Sequence, residues 1–98
     1  MILVLDIDGY LSVFPTVAEA ESHLEAIDIE NGECEFCSST GQEFVGEITR
    51  PVTRFRAGQF RLKPSGVPDK AILDSILVRA RASGKNTKNL SNLPDALI

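Results

Sequence analysis

Apolar positions fill the start of the chain almost without a break. Met1–Ile7 is apolar on both alternating sets of positions, the pattern of a strand covered on both faces. Asp8-Gly9 marks a turn, and Tyr10–Phe14 follows as a short extended piece. The period then changes. Pro15-Thr16 opens a helix, with Thr16 as N-cap and Glu19 completing a capping box, and Val17, Ala20, Leu24 and Ile27 fall on one helical face. Farther on, Asp69–Ser83 has the clearest helical pattern in the chain. Ile72, Leu73, Ile76, Leu77 and Ala80 make its apolar face, Arg79 and Arg81 suit its last turn, and Gly84 supplies its end.

Between these helices the pattern predicts an antiparallel meander. Ala26–Cys37 reads as a β-hairpin turning at Asn31-Gly32, the dipeptide best suited to a type I′ turn. That register sets Ile27 opposite Phe36, Asp28 opposite Glu35, Ile29 opposite Cys34 and Glu30 opposite Glu33. One face is then apolar, and the other carries four carboxylates as directly opposed like charges, which is destabilising. A three-residue Ser39–Gly41 loop, with Gly41 in the left-handed region, pairs Phe36 with Phe44 and Cys34 with Gly46 in the next strand, Gln42–Ile48. This places Glu43 and Glu47 on the carboxylate side. Arg50-Pro51 breaks the run. Val52–Arg56 and Gln59–Lys63 are predicted to be extended, and Arg61 and Lys63 of the second neutralise Glu43 and Glu47 if it lies beside Gln42–Ile48. The resulting expectation is a single α+β domain over 1–98, with an antiparallel four- to five-stranded sheet and two helices packed against it. Residues 85–98 are expected to form a loosely ordered tail, with a last turn at Leu93–Ile98.

Composition adds one decisive feature, an asymmetry of charge. The 98 residues are 43% apolar and 24% charged, as in ordinary globular domains, with a net charge of −4. Residues 1–49 hold eleven Asp and Glu and no Lys or Arg, whereas residues 50–98 hold ten Lys and Arg and three Asp and Glu. Such a division implies either pairing between the halves or a charged partner. No apolar run is long enough to span a membrane, and the apolar start lacks the basic lead of a secretory signal, so the cytoplasm is the expected location.

Motifs for catalysis are few. Leu3-Val-Leu-Asp6-Ile-Asp8-Gly9 resembles the first motif of the haloacid dehalogenase phosphohydrolases, a buried strand ending in Asp-x-Asp-Gly. That resemblance implies Asp6 as nucleophile, Asp8 as general acid/base and a Mg²⁺ ion at the strand's carboxyl end, and Lys63-Pro64 is similar to the family's Lys-Pro motif. Tyr10 stands where that family has Thr, and no Gly-Asp-x-x-x-Asp acidic pair follows Lys63. Cys34-Glu-Phe-Cys37 lacks a second ligand pair, and in a strand its thiols point to opposite faces, so no metal or redox centre is expected. His23 has no catalytic neighbour in sequence. Arg50, Arg54, Arg56, Arg61 and Lys63 interleaved with Phe55 and Phe60 have the composition of a nucleic-acid strand, but the acidic neighbours disfavour a phosphate backbone.

A small acidic α+β domain without a catalytic set resembles the immunity proteins of bacterial toxin systems, and the run Leu24-Glu-Ala-Ile-Asp…Asn31-Gly-Glu…Gly41 is similar to patterns among such proteins. The resemblance implies a non-catalytic protein, with no cofactor, that neutralises a basic toxin such as a nuclease through charge complementarity. Its contact residues are expected to be Glu21, Glu25, Asp28, Glu30, Glu33 and Glu35. The alternatives are a Mg²⁺-dependent phosphohydrolase using Asp6 and Asp8, and an accessory domain with internally paired charges.

Overall fold

In the computed structural model, which describes residues 1–86, 90, 91 and 93, the chain runs as β1 (Ile2–Asp6), β2 (Leu11–Phe14), α1 (Val17–His23), α2 (Ala26–Glu30), β3 (Cys34–Ser38), β4 (Glu43–Arg50), β5 (Gln59–Ser65) and α3 (Lys70–Ala82). The strands form one sheet in the order β2-β1-β3-β4-β5, with every neighbouring pair antiparallel. This is the expected α+β architecture, with a third helix added.

The apolar run of β1 is explained by its two covered faces. Leu3 and Leu5 pack with Leu73, Ile76, Leu77 and Ala80 of α3, whereas Ile2 and Val4 pack with Ala20 of α1, Ala26 of α2, and Phe36, Phe60 and Leu62. α3 therefore covers one face of the sheet, and α1 and α2 cover the other. α3 follows its sequence pattern closely: the Asp69 carboxylate accepts from the Ala71 amide at 2.9 Å, and Leu73, Ile76, Leu77 and Ala80 are buried. α1 has the expected N-cap, with the Thr16 hydroxyl accepting from the Glu19 amide at 3.2 Å. It ends at His23, however, so Leu24 and Ile27 of the expected helical face fall outside it, and Ile27 is exposed. α1 reaches both edges of the sheet, touching β2 and β5.

The Asn31-Gly32 hairpin does not form. Ala26–Glu30 is a short helix instead, and Asn-Gly ends it. Asn31 keeps helical angles (φ −81°, ψ −3°), and only Gly32 takes a positive φ of 66°. The Gly32 amide donates to the Ile29 carbonyl and the Glu33 amide to the Asp28 carbonyl, the paired closure of a Schellman motif. The physical reason lies outside the segment. β3 is flanked on one side by β1, with Val4 opposite Phe36, and on the other by β4, with Phe36 opposite Phe44. β1 occupies one edge of β3 along its whole length, and β4 takes the other at Phe36 and Cys37, where the hairpin register would have put Ile27 opposite Phe36. Coiled as a helix, the segment buries Ala26 and turns Ile29 onto β4, where a β-carbon on Gly46 would stand 2.2 Å from Ile29 Cγ2. The helix also removes the opposed carboxylates of the hairpin register.

Downstream, the expected pairing holds at Phe36 but does not reach Cys34 and Gly46, because β3 and β4 are paired only at Phe36–Phe44 and Cys37–Glu43. Phe36 lies opposite Phe44, and Gly41 has a φ of 84°. β5 lies beside β4 with Glu47 opposite Arg61 and Val45 opposite Lys63, and Lys63 forms an ion pair with Glu47. Both partners are about half exposed, so this pair contributes roughly 0.2–1 kcal/mol. Val52–Arg56, expected to be extended, is instead the tip of the β4–β5 hairpin, closed by reciprocal backbone bonds between Thr53 and Arg56. Most of the expected loose tail, including all of the expected last turn beyond Leu93, lies outside the described residues. Two of its described members are buried: Asn86 at 2% exposure and Leu93 at 5%.

Candidate functional site, an acidic end of the sheet

The β1–β2 connection is built around Asp6. Its Oδ1 accepts from the amides of Asp8 and Tyr10, both at 2.9 Å, while its own amide donates to the Tyr10 carbonyl. The loop is pinned from behind by Asn86. Asn86 Oδ1 accepts from the Leu11 amide at 2.7 Å, and its Nδ2 donates to the carbonyls of Gly9 (2.7 Å) and Ala80 (2.9 Å). Ser83 Oγ also lies 2.9 Å from the Gly9 carbonyl. Asp6–Tyr10 is thus a fixed hairpin loop, held on the C-terminal end of α3. It projects Ile7, which is 76% exposed, between two carboxylates.

Beside this loop lies the α2–β3 turn, because Asp6 is paired with Cys34. The Asp28 carboxyl beside Glu33 lifts the Glu33 pKa above its ordinary value of 4.5, chiefly by hydrogen bonding that favours the protonated form. Slight desolvation and the charges of Asp28, Asp8 and Asp6 push it the same way. Four carboxylates, Asp6 and Asp8 of the loop, Asp28 of α2 and Glu33 of the turn that follows it, therefore lie near one end of the sheet. Asp6 and Glu33, with Glu35 and Arg79, also line a depression of about 380 Å³. Nearby cations are turned to other tasks: Arg79 pairs with Glu35, and Lys85 binds the Asp8 carbonyl at 2.9 Å with its ammonium over the Tyr10 ring.

The six expected contact residues do not share a face, because α2 replaces the strand that would have aligned them. Glu21 Oε2 accepts from the Leu62 amide at 2.8 Å on the outer edge of β5, so it caps an edge strand. Glu30 Oε1 accepts from the Val52 amide at 3.4 Å, at the root of the β4–β5 arm. Glu35 pairs with Arg79 across the sheet–α3 boundary. Glu25 is exposed at the N-cap of α2 without a capping bond. Only Asp28 and Glu33 come together, and they do so with Asp6 and Asp8, which the charge pattern of the hairpin did not connect to them. The available signal was Asp8-Gly9 and Asn31-Gly32 as two turns rich in carboxylates. Their proximity depends on β1 pairing with β3.

The Asp6-x-Asp8 motif is set in an all-antiparallel sheet, and its strand leads into a hairpin rather than a helix. An Asp6 oxygen is committed to two backbone amides, and among the described residues no three His, Cys, Asp or Glu side chains converge in a way that could hold a metal ion. The residues present do not fit a Mg²⁺ centre of the phosphohydrolase kind. Cys37 packs in the α3-side core and Cys34 borders the opposite one, as their spacing requires. Burial first, and neighbouring carboxylates second, push both thiols up to about 11. His23 is exposed on α1, with its ring 5.5 Å from that of Phe14. Among the described residues, no helix is long and apolar enough to cross a membrane. No family model, curated protein or solved structure matches the chain.

The raised Glu33 carries a prediction. Its folded-state pKa exceeds its unfolded value, so the folded protein holds more protons there and stability falls as pH rises through the range just above 4.5. Glu33→Gln removes this dependence. In urea titrations the variant is expected to equal or slightly exceed the parent at neutral pH and to lose that advantage in acid.

Proposed function

We propose that this protein is a non-catalytic binding protein that receives a basic protein on the end of the sheet formed by Asp6, Asp8, Asp28 and Glu33, in the manner of an immunity protein neutralising a basic toxin. The observation that carries this reading is geometric: pairing of Asp6 with Cys34 sets the Asp6–Tyr10 loop beside the turn after α2, so that Asp6 and Glu33 line one depression with Asp8 and Asp28 close by. Like charges lie close together there, on the pinned Asp6–Tyr10 loop and on the end of α2 and its turn, and a cationic partner relieves their repulsion. Ile7, between Asp6 and Asp8 in the chain and lining the same depression as Glu33, offers an exposed apolar contact beside these carboxylates. Such a surface speeds association with a basic partner and makes the complex salt-sensitive.

The test is retention of a basic protein from the native host at low salt by the immobilised chain, compared with the double variant Asp8→Lys/Glu33→Lys. Neither side chain is needed for the backbone bonds of the loops. The parent is expected to retain a basic protein that salt releases, and the double variant is expected to lose it while keeping its circular dichroism. Equal retention by both overturns the proposal. Affinity is also expected to rise with pH through the Glu33 titration, because the partner favours the ionised carboxylate.

A further inference from the structure

The β4–β5 arm ends in Arg54-Phe55-Arg56, with Phe55 88% exposed and the Arg54 guanidinium 5.7 Å from the centre of its ring. The exposure is built in. Thr53 and Arg56 exchange backbone bonds at 3.0 and 3.4 Å, Thr53 Oγ1 accepts from the Arg56 amide at 3.1 Å, and Arg50 Nη2 braces the Ala57 carbonyl at 3.2 Å. A hydrogen-bonded arm thus carries a large aromatic ring between two cations, in water. At the root of the same arm lies a cleft of about 860 Å³ between α1–α2 and β5, with Leu24, Ile27 and Phe60 among its apolar walls. Glu21 and Glu25 also line it, against Arg61 on the far wall.

We infer that the arm and the cleft are the two halves of one self-complementary interface, through which two copies of this chain form a two-fold dimer. Phe55 of each copy enters the other's cleft, and Arg54 and Arg56 meet Glu25 and Glu21. Charge favours this occupant: two cations flank the ring, and two carboxylates flank the apolar walls that would receive it. Position favours it too. Val52, Ala57 and Gly58 of the arm are themselves cleft walls, so tip and cleft are a few residues apart. A two-fold axis beside the arm places both tips at once, as an isologous contact requires. A nucleic acid or an anionic membrane is disfavoured, because Glu25 and Glu30 border the arm's root and the chain is acidic overall.

Sedimentation equilibrium over a concentration series at low salt tests this. The parent is expected to dimerise, and Phe55→Ser to raise the dimer dissociation constant at least about tenfold. Arg54→Glu dissociates the dimer, Glu25→Lys does the same, and the double variant Arg54→Glu/Glu25→Lys recovers it. All three positions are exposed, and circular dichroism checks that each variant is folded. A parent that is monomeric at every concentration overturns the inference, as does a dimer indifferent to these changes. So does a monomer whose arm binds single-stranded DNA or phosphatidylserine vesicles in a Phe55-dependent way.

Discussion

Gly41→Ala is expected to cost about 2–4 kcal/mol, the larger part from a clash rather than from backbone preference. Gly41 sits at φ 84° in the β3–β4 loop, and a β-carbon there would stand 2.4 Å from the Asp69 carbonyl oxygen and 3.0 Å from the Lys70 amide. Backbone atoms cannot swing aside as a side chain can. The Asp69 amide also donates to the Gly41 carbonyl at 3.1 Å, so the loop and the first turn of α3 are bonded as well as in contact. A β-carbon therefore pushes on the whole start of α3, whose Leu73, Ile76 and Leu77 fill the core on that face. Gly32→Ala is the matched comparison. Its φ is 66°, but a β-carbon there meets nothing within 4 Å, so only the conformational penalty of about 1–2 kcal/mol applies. Chemical denaturation of the two variants separates the effects. Equal losses would show that α3 yields to the loop.

Asn86 is the second position of large effect. It donates or accepts four hydrogen bonds, to Leu11, Gly9, Ala80 and Ser83, from a site only 2% exposed. Asn86→Leu keeps the approximate volume and deletes all four, for an expected loss of about 2–4 kcal/mol. Asn86→Asp is more informative. It keeps the acceptor for the Leu11 amide but turns an oxygen toward the carbonyls of Gly9 and Ala80, so the carboxyl pKa rises. Its folded value then exceeds its unfolded one, and stability is retained in acid and lost as pH rises through the folded pKa. Thermal melts across pH are expected to show a steeper decline than the parent above the unfolded Asp value of about 3.9. A pH-independent loss would mean that the Asn86 donors do not face those carbonyls. Because Asn86 pins the Asp6–Tyr10 loop, the same variants are expected to weaken the proposed acidic contact surface.

These two sites differ in how far they can be read from the chain. Gly41 is legible: a Ser-Ser-Thr-Gly turn between apolar runs calls for a left-handed residue, and the loop length then sets Phe36 opposite Phe44. The covered faces of β1 follow from its unbroken apolar run, and α3 follows from its stripe and its Asp69 and Gly84 ends. Asn86 is not legible, because it sits in a polar stretch with no period. Its burial comes from a loop more than seventy residues earlier, which packs on the end of α3. The candidate site divides in the same way. Carboxylates without local cations are visible in residues 1–49, but their grouping is not. Glu21, Glu30 and Glu35 are drawn off to the β5 edge, the arm and α3.

Sequence alone determined the covered faces of β1, the apolar stripe of α3, the start of α1, the antiparallel meander from β3 to β5 and the excess of acid in the first half. These depend on near neighbours, on turn chemistry and on hydrophobic period. Tertiary structure decided the fate of Ala26–Glu30 and, with it, the acidic surface. The segment alternates well enough for a strand and spaces Ala26 and Ile29 well enough for a helix, so local preference leaves it balanced. The pairing of β1 with β3 occupies the edge that a strand would need, and Gly46 opens the surface that a helix fills. Backbone hydrogen bonds must be satisfied somewhere, and here only the helix could satisfy them internally.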